Sequence, residues 1–196
     1  MDAATKAAIE DDLKKSVATL TAVAADGALL AALDAAAGLC ADAMRRGNKV
    51  LFAGNGGSAA QAQHVAAELV GRLRDERPGL PAISLATDTA ILTAVGNDYG
   101  YDEVFKRQVE AVGAKGDVLV ALSTSGRSTN IRAALAAART RGMHTLGMTG
   151  SGGAMNSLCD CVLAVPSGAT QNIQEAHLAL GHILCALIER RLFPPP

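Results

Sequence analysis

Five short, mostly apolar runs recur along this chain, and the longer segments between them have a helical pattern. The runs are Lys49 to Ala53, Leu80 to Leu85, Asp117 to Leu122, Met143 to Met148 and Cys161 to Val165. Each is strand-length and too apolar to leave one face in water, so each must be covered on both faces. Helical patterns run from Ser58 to Arg74, Asp102 to Val112, Asn130 to Arg141 and Thr170 to Arg191. Alternation of this kind forces a parallel sheet, because parallel neighbours need a crossover between them. Ahead of the first strand, Ala4 to Arg46 reads as two helices broken near Asp26-Gly27, and Arg45-Arg46-Gly47-Asn48 is a helix stop. The expected fold is α/β: a doubly wound parallel sheet flanked by helices, with an N-terminal helical pair. The closing Phe193-Pro194-Pro195-Pro196 cannot continue a helix and reads as a loose tail.

Aromatic residues make up only 3% of the chain and Trp is absent, so the core has to come from Ala, Val, Leu and Ile. Alanine-rich helices pack closely but bury little area each, which favours association between copies. The formal net charge of −1 gives no general attraction to nucleic acid, so an anionic ligand would need local chemistry. Cys40, Cys159, Cys161 and Cys185 fit neither a redox CxxC nor a cysteine-rich zinc site and read as plain thiols. The charged N-terminus lacks the apolar core of a signal peptide. Val17 to Met44 is apolar, but Asp26, Asp34 and Asp42 interrupt it, so no membrane span is expected. The expected location is the cytoplasm.

Two loops stand out. Gly54-Asn55-Gly56-Gly57-Ser58 follows the first strand, and Ser123-Thr124-Ser125-Gly126-Arg127-Ser128 follows the third. Each lies at the carboxyl end of a strand and opens a helix, which is where open α/β sheets bind ligands. The second loop offers four hydroxyls, a glycine for the turn and a helix N-terminus, which together suit a phosphate. Neither loop has Walker or dinucleotide spacing, so a single phosphoester fits better than a nucleotide.

His64 and Glu68 are four apart in the helix after the first loop and share a face. Such a pair can hold a metal, act as an acid and base, or simply decorate a surface. The last helix carries Gln174, Glu175, His177 and His182 in an apolar stretch. Glu175 and His182 share a face, whereas Gln174 and His182 differ by about 80° around an ideal helix. Spacing therefore selects one histidine of this helix, His182, plus an undetermined neighbour. His144 beside the fourth strand reads equally as a core or rim residue. Gly96 to Gly100 reads as a polar turn, either a simple Asx turn or one whose Asp98 binds sugar hydroxyls, and nothing local decides between them.

Taken together, these pieces resemble the sedoheptulose 7-phosphate isomerase (phosphoheptose isomerase) family of the sugar isomerase (SIS) fold group. The segments that carry the resemblance are AGNGGSAAQAQHVAAELVGR, AVGNDYGYDEVFKRQVEAVGAKGDVLVALSTSGRS and IQEAHLALGH. The resemblance implies a five-stranded, flavodoxin-like sheet over residues 47–193, with helices 1–46 in contacts of a homotetramer and active sites near subunit interfaces. It implies one zinc ion per site, held by His64, Glu68, Gln174 and His182. Asn55, Gly56, Gly57, Ser58, Glu68, Asn97, Asp98, Ser123, Thr124, Ser125, Ser128 and Gln174 match the family's substrate contacts, with Ser123 to Ser125 and Ser128 as the phosphate cradle. The implied reaction converts sedoheptulose 7-phosphate to glycero-manno-heptose 7-phosphate, which supplies heptose for lipopolysaccharide, capsule or another glycan. Glu68 is expected as base and His182 as acid partner, with no nucleic-acid or membrane partner.

The fold group also holds non-catalytic phosphosugar binders and an adaptor that binds a replication initiator. The stretch RLRDERPGLPAISLATD and the LFPPP end resemble that adaptor, but Glu68 and His182, which it lacks, favour the enzyme. Arg127 stands where many relatives carry Asn. Arg72 and Arg74 read as a solvated helix end.

Overall fold

The computed structural model describes residues 1–194, so Pro195 and Pro196 of the expected tail lie outside the described residues. Helices α1 (Ala3–Ala25) and α2 (Gly27–Arg45) come first. Asp26 joins them: its carboxylate accepts from the N–H groups of Ala28 and Leu29 and so caps α2. Strands β1 (Val50–Gly54), β2 (Ala82–Ser84), β3 (Val118–Leu122), β4 (His144–Thr149) and β5 (Cys161–Ala164) follow. They form one parallel sheet in the order β2-β1-β3-β4-β5. Between and after them run α3 (Gly57–Val70), α4 (Thr89–Tyr99), α5 (Val104–Val112), α6 (Thr129–Thr140) and α7 (Thr170–Leu192).

Alternate strand residues face opposite sides, and each side has its own core. On one side Val50, Phe52, Val118 and Val120 meet Leu33 of α2, Leu69 of α3 and Leu184 of α7. On the other, Leu51, Ala53, Leu119 and Ala121 meet Phe105 of α5 and Leu135 of α6. Every residue of β1 and β3 is buried, as the apolar runs require. Among the described residues α2 is the one helix long and apolar enough to cross a bilayer. Its Leu29, Leu33, Ala36, Ala37 and Cys40 are instead packed into the first core.

This is the expected doubly wound α/β fold with its N-terminal helical pair. Two stretches differ from the sequence reading. Gly96 to Gly100 is not a free turn, because residues through Tyr99 complete α4. That helix starts at Asp88, whose carboxylate accepts from the Ile91 N–H, and it has no fully buried residue, so it left little apolar pattern to read. In addition, α3 stops at Val70 rather than Arg74. The following segment is held by the buried Arg77, which donates to the carbonyls of Glu68, Leu69 and Gly71, groups that a helix end leaves without intrahelical partners.

The sheet order sets the site. β1 lies between β2 and β3, and the chain leaves β1 and β3 toward opposite faces, α3 on one and α6 on the other. A crevice therefore opens at the carboxyl ends of these two strands.

Candidate active site

A cavity of about 300 Å³ fills that crevice. Asn55 to Ser58 line one wall, Leu122 to Thr124 with Ser128 the other, and Thr170 with Gln174 the third. Glycine is needed at two points of the first loop. Gly56 has a φ of +55°, and a Cβ on Gly54 would lie 2.5 Å from the Ser58 carbonyl oxygen. Asn55 is fixed by a reciprocal amide pair with the buried Asn130, each side chain donating to the other at 2.9 Å. The Tyr101 hydroxyl adds a third contact, donating to Asn55 Oδ1 at 3.2 Å. In the second loop the Ser123 and Ser128 hydroxyls lie 3.1 Å apart, and the Arg127 N–H donates to Ser125 Oγ.

Three helices begin at this cavity: α3 at Gly56-Gly57, α6 at Ser128-Thr129 and α7 at Ala169-Thr170. None of the three has a side-chain cap. Elsewhere α1, α2 and α4 begin at Asp2, Asp26 and Asp88, each with its carboxylate on the backbone N–H groups of the first turn, whereas α5, which continues directly from a 3-10 turn over Tyr101–Glu103, also has no side-chain cap. The first-turn N–H groups of Ser58 and Ala59 already donate to the Asn55 and Gly56 carbonyls, and that of Ile131 donates to Asn130 Oδ1, so what these helix starts offer a ligand is their remaining N–H groups and the partial positive charge of the helix ends. Helix starts beside hydroxyls are an arrangement that can accept an anion without a lysine.

Farther along α3 and α7, three side chains converge. His64 Nε2 lies 2.7 Å from His182 Nε2 and 3.4 Å from Glu68 Oε1. The two rings meet edge to face with centroids 5.0 Å apart. Close helix packing makes this possible, since a Cβ on Gly181 would lie 2.7 Å from the Val65 side chain. Gln61 adds a cross-tie, its Nε2 donating to the Gln174 carbonyl at 2.5 Å. Two imidazoles and one carboxylate within 4.8 Å of one another are a donor set for a divalent metal. Three protein ligands with a position left open are the pattern of catalytic zinc sites. The residues therefore fit the ion that the resemblance implies.

Residues 13–150 match the SIS domain family. The chain is 53% identical over 186 residues to a phosphoheptose isomerase of Burkholderia pseudomallei (strain 1710b), covering 94% of each. The chain belongs to the phosphoheptose isomerase family. It is an isomerase by that membership, and its fold agrees with solved members of the family. The phosphoheptose isomerase of Francisella tularensis superposes with a TM-score of 0.90 at 39% identity, covering 97% of this chain and 100% of that one. That of Neisseria gonorrhoeae gives 0.88 at 40% identity, with coverages of 94% and 98%.

The other sequence-derived candidates of this isomerase fall as follows. Gln174 stands two turns before His182, about 12 Å of helix rise. Its amide faces the cavity, where a Cβ on Gly57 would lie 2.7 Å from its Nε2. Glu175 is exposed and accepts from Asn172 Nδ2. His177 turns inward, with Nε2 3.2 Å from the Thr149 carbonyl, and burial pushes its pKa down to about 4. Asn97 and Asp98 bond to each other at the exposed end of α4 and are not among the cavity walls. His144 is half-buried at the start of β4. Arg127 is exposed and borders a smaller neighbouring cavity with Thr124 and Ser125. Arg72 pairs with Glu76 in solvent. All four cysteines are free thiols, and burial raises those of Cys40 and Cys185 to about 12. Sequence reasoning missed Asn130 and Tyr101. An Asn two residues past a serine-rich loop and a Tyr in a polar segment carry no signal until the fold sets them against Asn55.

Proposed function

We propose that this isomerase converts sedoheptulose 7-phosphate to glycero-manno-heptose 7-phosphate, with a zinc ion held by His64, Glu68 and His182. The observation that carries the reading is the set of three uncapped helix N-termini around a hydroxyl-lined cavity, with the His–Glu–His cluster farther along two of the same helices. The phosphate binds Ser123, Thr124, Ser125, Ser128 and the backbone around them. Asn55, Gly56, Gly57, Ser58, Asn97, Asp98 and Gln174 are the proposed partners of the sugar hydroxyls. Gln174 is the fourth metal ligand in the resemblance; its position on the cavity wall supports the substrate role more directly.

The reaction moves a proton from C1 of the ketose to C2. Glu68 takes the C1 proton, which leaves an enediol(ate), and returns it to C2. His182 donates to the C2 oxygen as that proton leaves and helps take the proton from the C1 hydroxyl as the aldehyde forms. Glu68 Oε1 faces His64, so the second oxygen serves as base. When bound, the metal supplies polarisation of the carbonyl oxygen and stabilises developing negative charge. Assembly as a homotetramer in the cytoplasm completes the proposal. An exposed apolar stripe on α1 formed by Ile9, Leu13, Val17 and Leu20 supports association between copies. The product is a source of heptose for lipopolysaccharide, capsule or another surface glycan.

The test is detection of heptose 7-phosphate by NMR from purified protein and sedoheptulose 7-phosphate, with and without a chelator. The expected result is turnover lost on chelation and restored by zinc. In Glu68→Gln, turnover should fall by about 10² to 10⁴-fold, the usual worth of a positioned base, while substrate still binds. Near-normal turnover in Glu68→Gln would remove the base assignment, and turnover indifferent to verified metal removal would remove zinc.

A further inference from the structure

Behind the His–Glu–His cluster lies a buried ion pair that neither the anion cradle nor the proton transfers use. Arg77 and Glu189 have side chains only 1% and 5% exposed. Arg77 comes from the irregular segment after α3, and Glu189 from α7. The guanidinium spends its donors in two directions. Its Nε donates to Glu189 Oε1 at 2.8 Å. Its Nη2 donates to the Glu68 carbonyl and its Nη1 to the Leu69 carbonyl, each at 2.9 Å, with further bonds from Nη1 to the carbonyls of Gly71 and Pro78. Glu189 Oε1 also accepts from the Leu73 N–H at 3.0 Å. One side chain thus grips the end of α3 at the residue that carries the candidate base and bonds directly to α7. Glu189 lies seven residues after His182, nearly two full turns, and so on the same side of that helix.

We infer that the Arg77–Glu189 pair is a strut that sets the spacing of His64 and Glu68 against His182. Arg77 is a positioning residue, since it contacts the backbone of Glu68 and not the reacting atoms. The inference rests on reading the His–Glu–His cluster as a metal site. A lone buried ion pair is a poor source of stability, because desolvation cancels much of its attraction, and apolar replacements often match it. The value of this pair is geometric: a planar fork with five donors satisfies several fixed carbonyls at once, which a lysine cannot do.

The test compares the full-length protein with the double variant Arg77→Met/Glu189→Leu, which removes both charges together, and with Arg77→Lys. Three quantities are measured: zinc affinity by competition with a chromogenic chelator, backbone hydrogen exchange, and kcat and KM. In the double variant zinc should bind about 10 to 100-fold more weakly, the usual effect of losing an outer support. Exchange at Glu68–Gly71 should rise while β3 stays as protected as in the parent. The kcat should fall with KM nearly unchanged, because the hydroxyls proposed to hold the phosphate come from the loop between β3 and α6, and α3 and α7 meet the cavity at their opposite, N-terminal ends. Zinc affinity and α3 exchange equal to the parent's would overturn the strut, as would faster exchange that spreads equally to β3. If the double variant does not fold, Arg77→Lys decides on the same readouts. A parent that binds no zinc overturns the metal reading instead, and the exchange measurement, which needs no metal, then judges the strut alone.

Discussion

At the scale of single residues, Gly181 shows how little separates packing from chemistry. It precedes His182, and its missing side chain lets α7 approach Val65 of α3. Val65 is buried and β-branched, so it cannot easily swing aside. Gly181→Ala should cost about 1 to 3 kcal/mol in overpacking, offset by about 1 kcal/mol of better helix propensity. The melting temperature should therefore drop only slightly, while zinc affinity, measured by calorimetric titration, should fall about tenfold or more as His182 is displaced. An unchanged affinity would mean that the histidine pair tolerates a wider helix spacing. Part of the site at this scale was readable in advance. His64 and Glu68 were visible as a pair because i, i+4 neighbours must share a helix face. Spacing alone did not choose among the polar residues of the last helix. Only the packing shows Glu175 outward, His177 under β4, and Gln174 and His182 toward α3. Arg77 was invisible for a related reason: in sequence a charged residue among Asp75, Glu76 and Pro78 looks solvated, and its burial depends on Glu189, more than a hundred residues away.

At the scale of elements, the contrast between capped and uncapped helices makes a prediction with two opposite signs. Ser128→Asp would place a carboxylate at the N-cap of α6, where the Ser128 hydroxyl makes no cap bond, and its interaction with the helix dipole is worth about 0.3 to 1 kcal/mol of stability. It would also place a negative charge where the phosphate is proposed to sit, a repulsion of about 1 to 4 kcal/mol at close range. Denaturation should show an equal or more stable protein, and KM for the phosphosugar should rise about tenfold or more. A rise in stability with an unchanged KM would place the phosphate elsewhere. The strands were legible because a doubly covered strand must be apolar on both faces. Helix α4 was not, because it lies on the surface, buries no residue fully, and ends in Asn97-Asp98-Tyr99-Gly100, a composition that also makes turns. The order of strands was not legible either, since local pattern says nothing of which strands are neighbours.

For the whole molecule, one buried histidine beside the sheet makes stability depend on pH. His177 lies between α7 and β4, where burial lowers its pKa from the ordinary 6.5 to about 4. Above 6.5 both folded and unfolded chains hold it neutral, so it has no effect. Between 6.5 and about 4 the unfolded chain takes up a proton that the folded one refuses, and stability falls with pH. The full loss is about 3 kcal/mol. Urea denaturation at pH 7, 6, 5 and 4.5 should show this slope, and His177→Leu should flatten it; an equal slope in the variant would assign the acid sensitivity to other groups. The molecule also divides its labour unevenly. On the proposed reading, holding the anion would depend largely on where three helices begin, a property of the main-chain path that most substitutions leave alone, and the chemistry would depend on three side chains borne by two of those helices. In evolutionary terms recognition is inherited with the architecture, while catalysis is written in a few replaceable letters. If that reading holds, a descendant that lost Glu68 would keep its ligand site, and could be recruited as a sensor without learning to recognise its ligand anew.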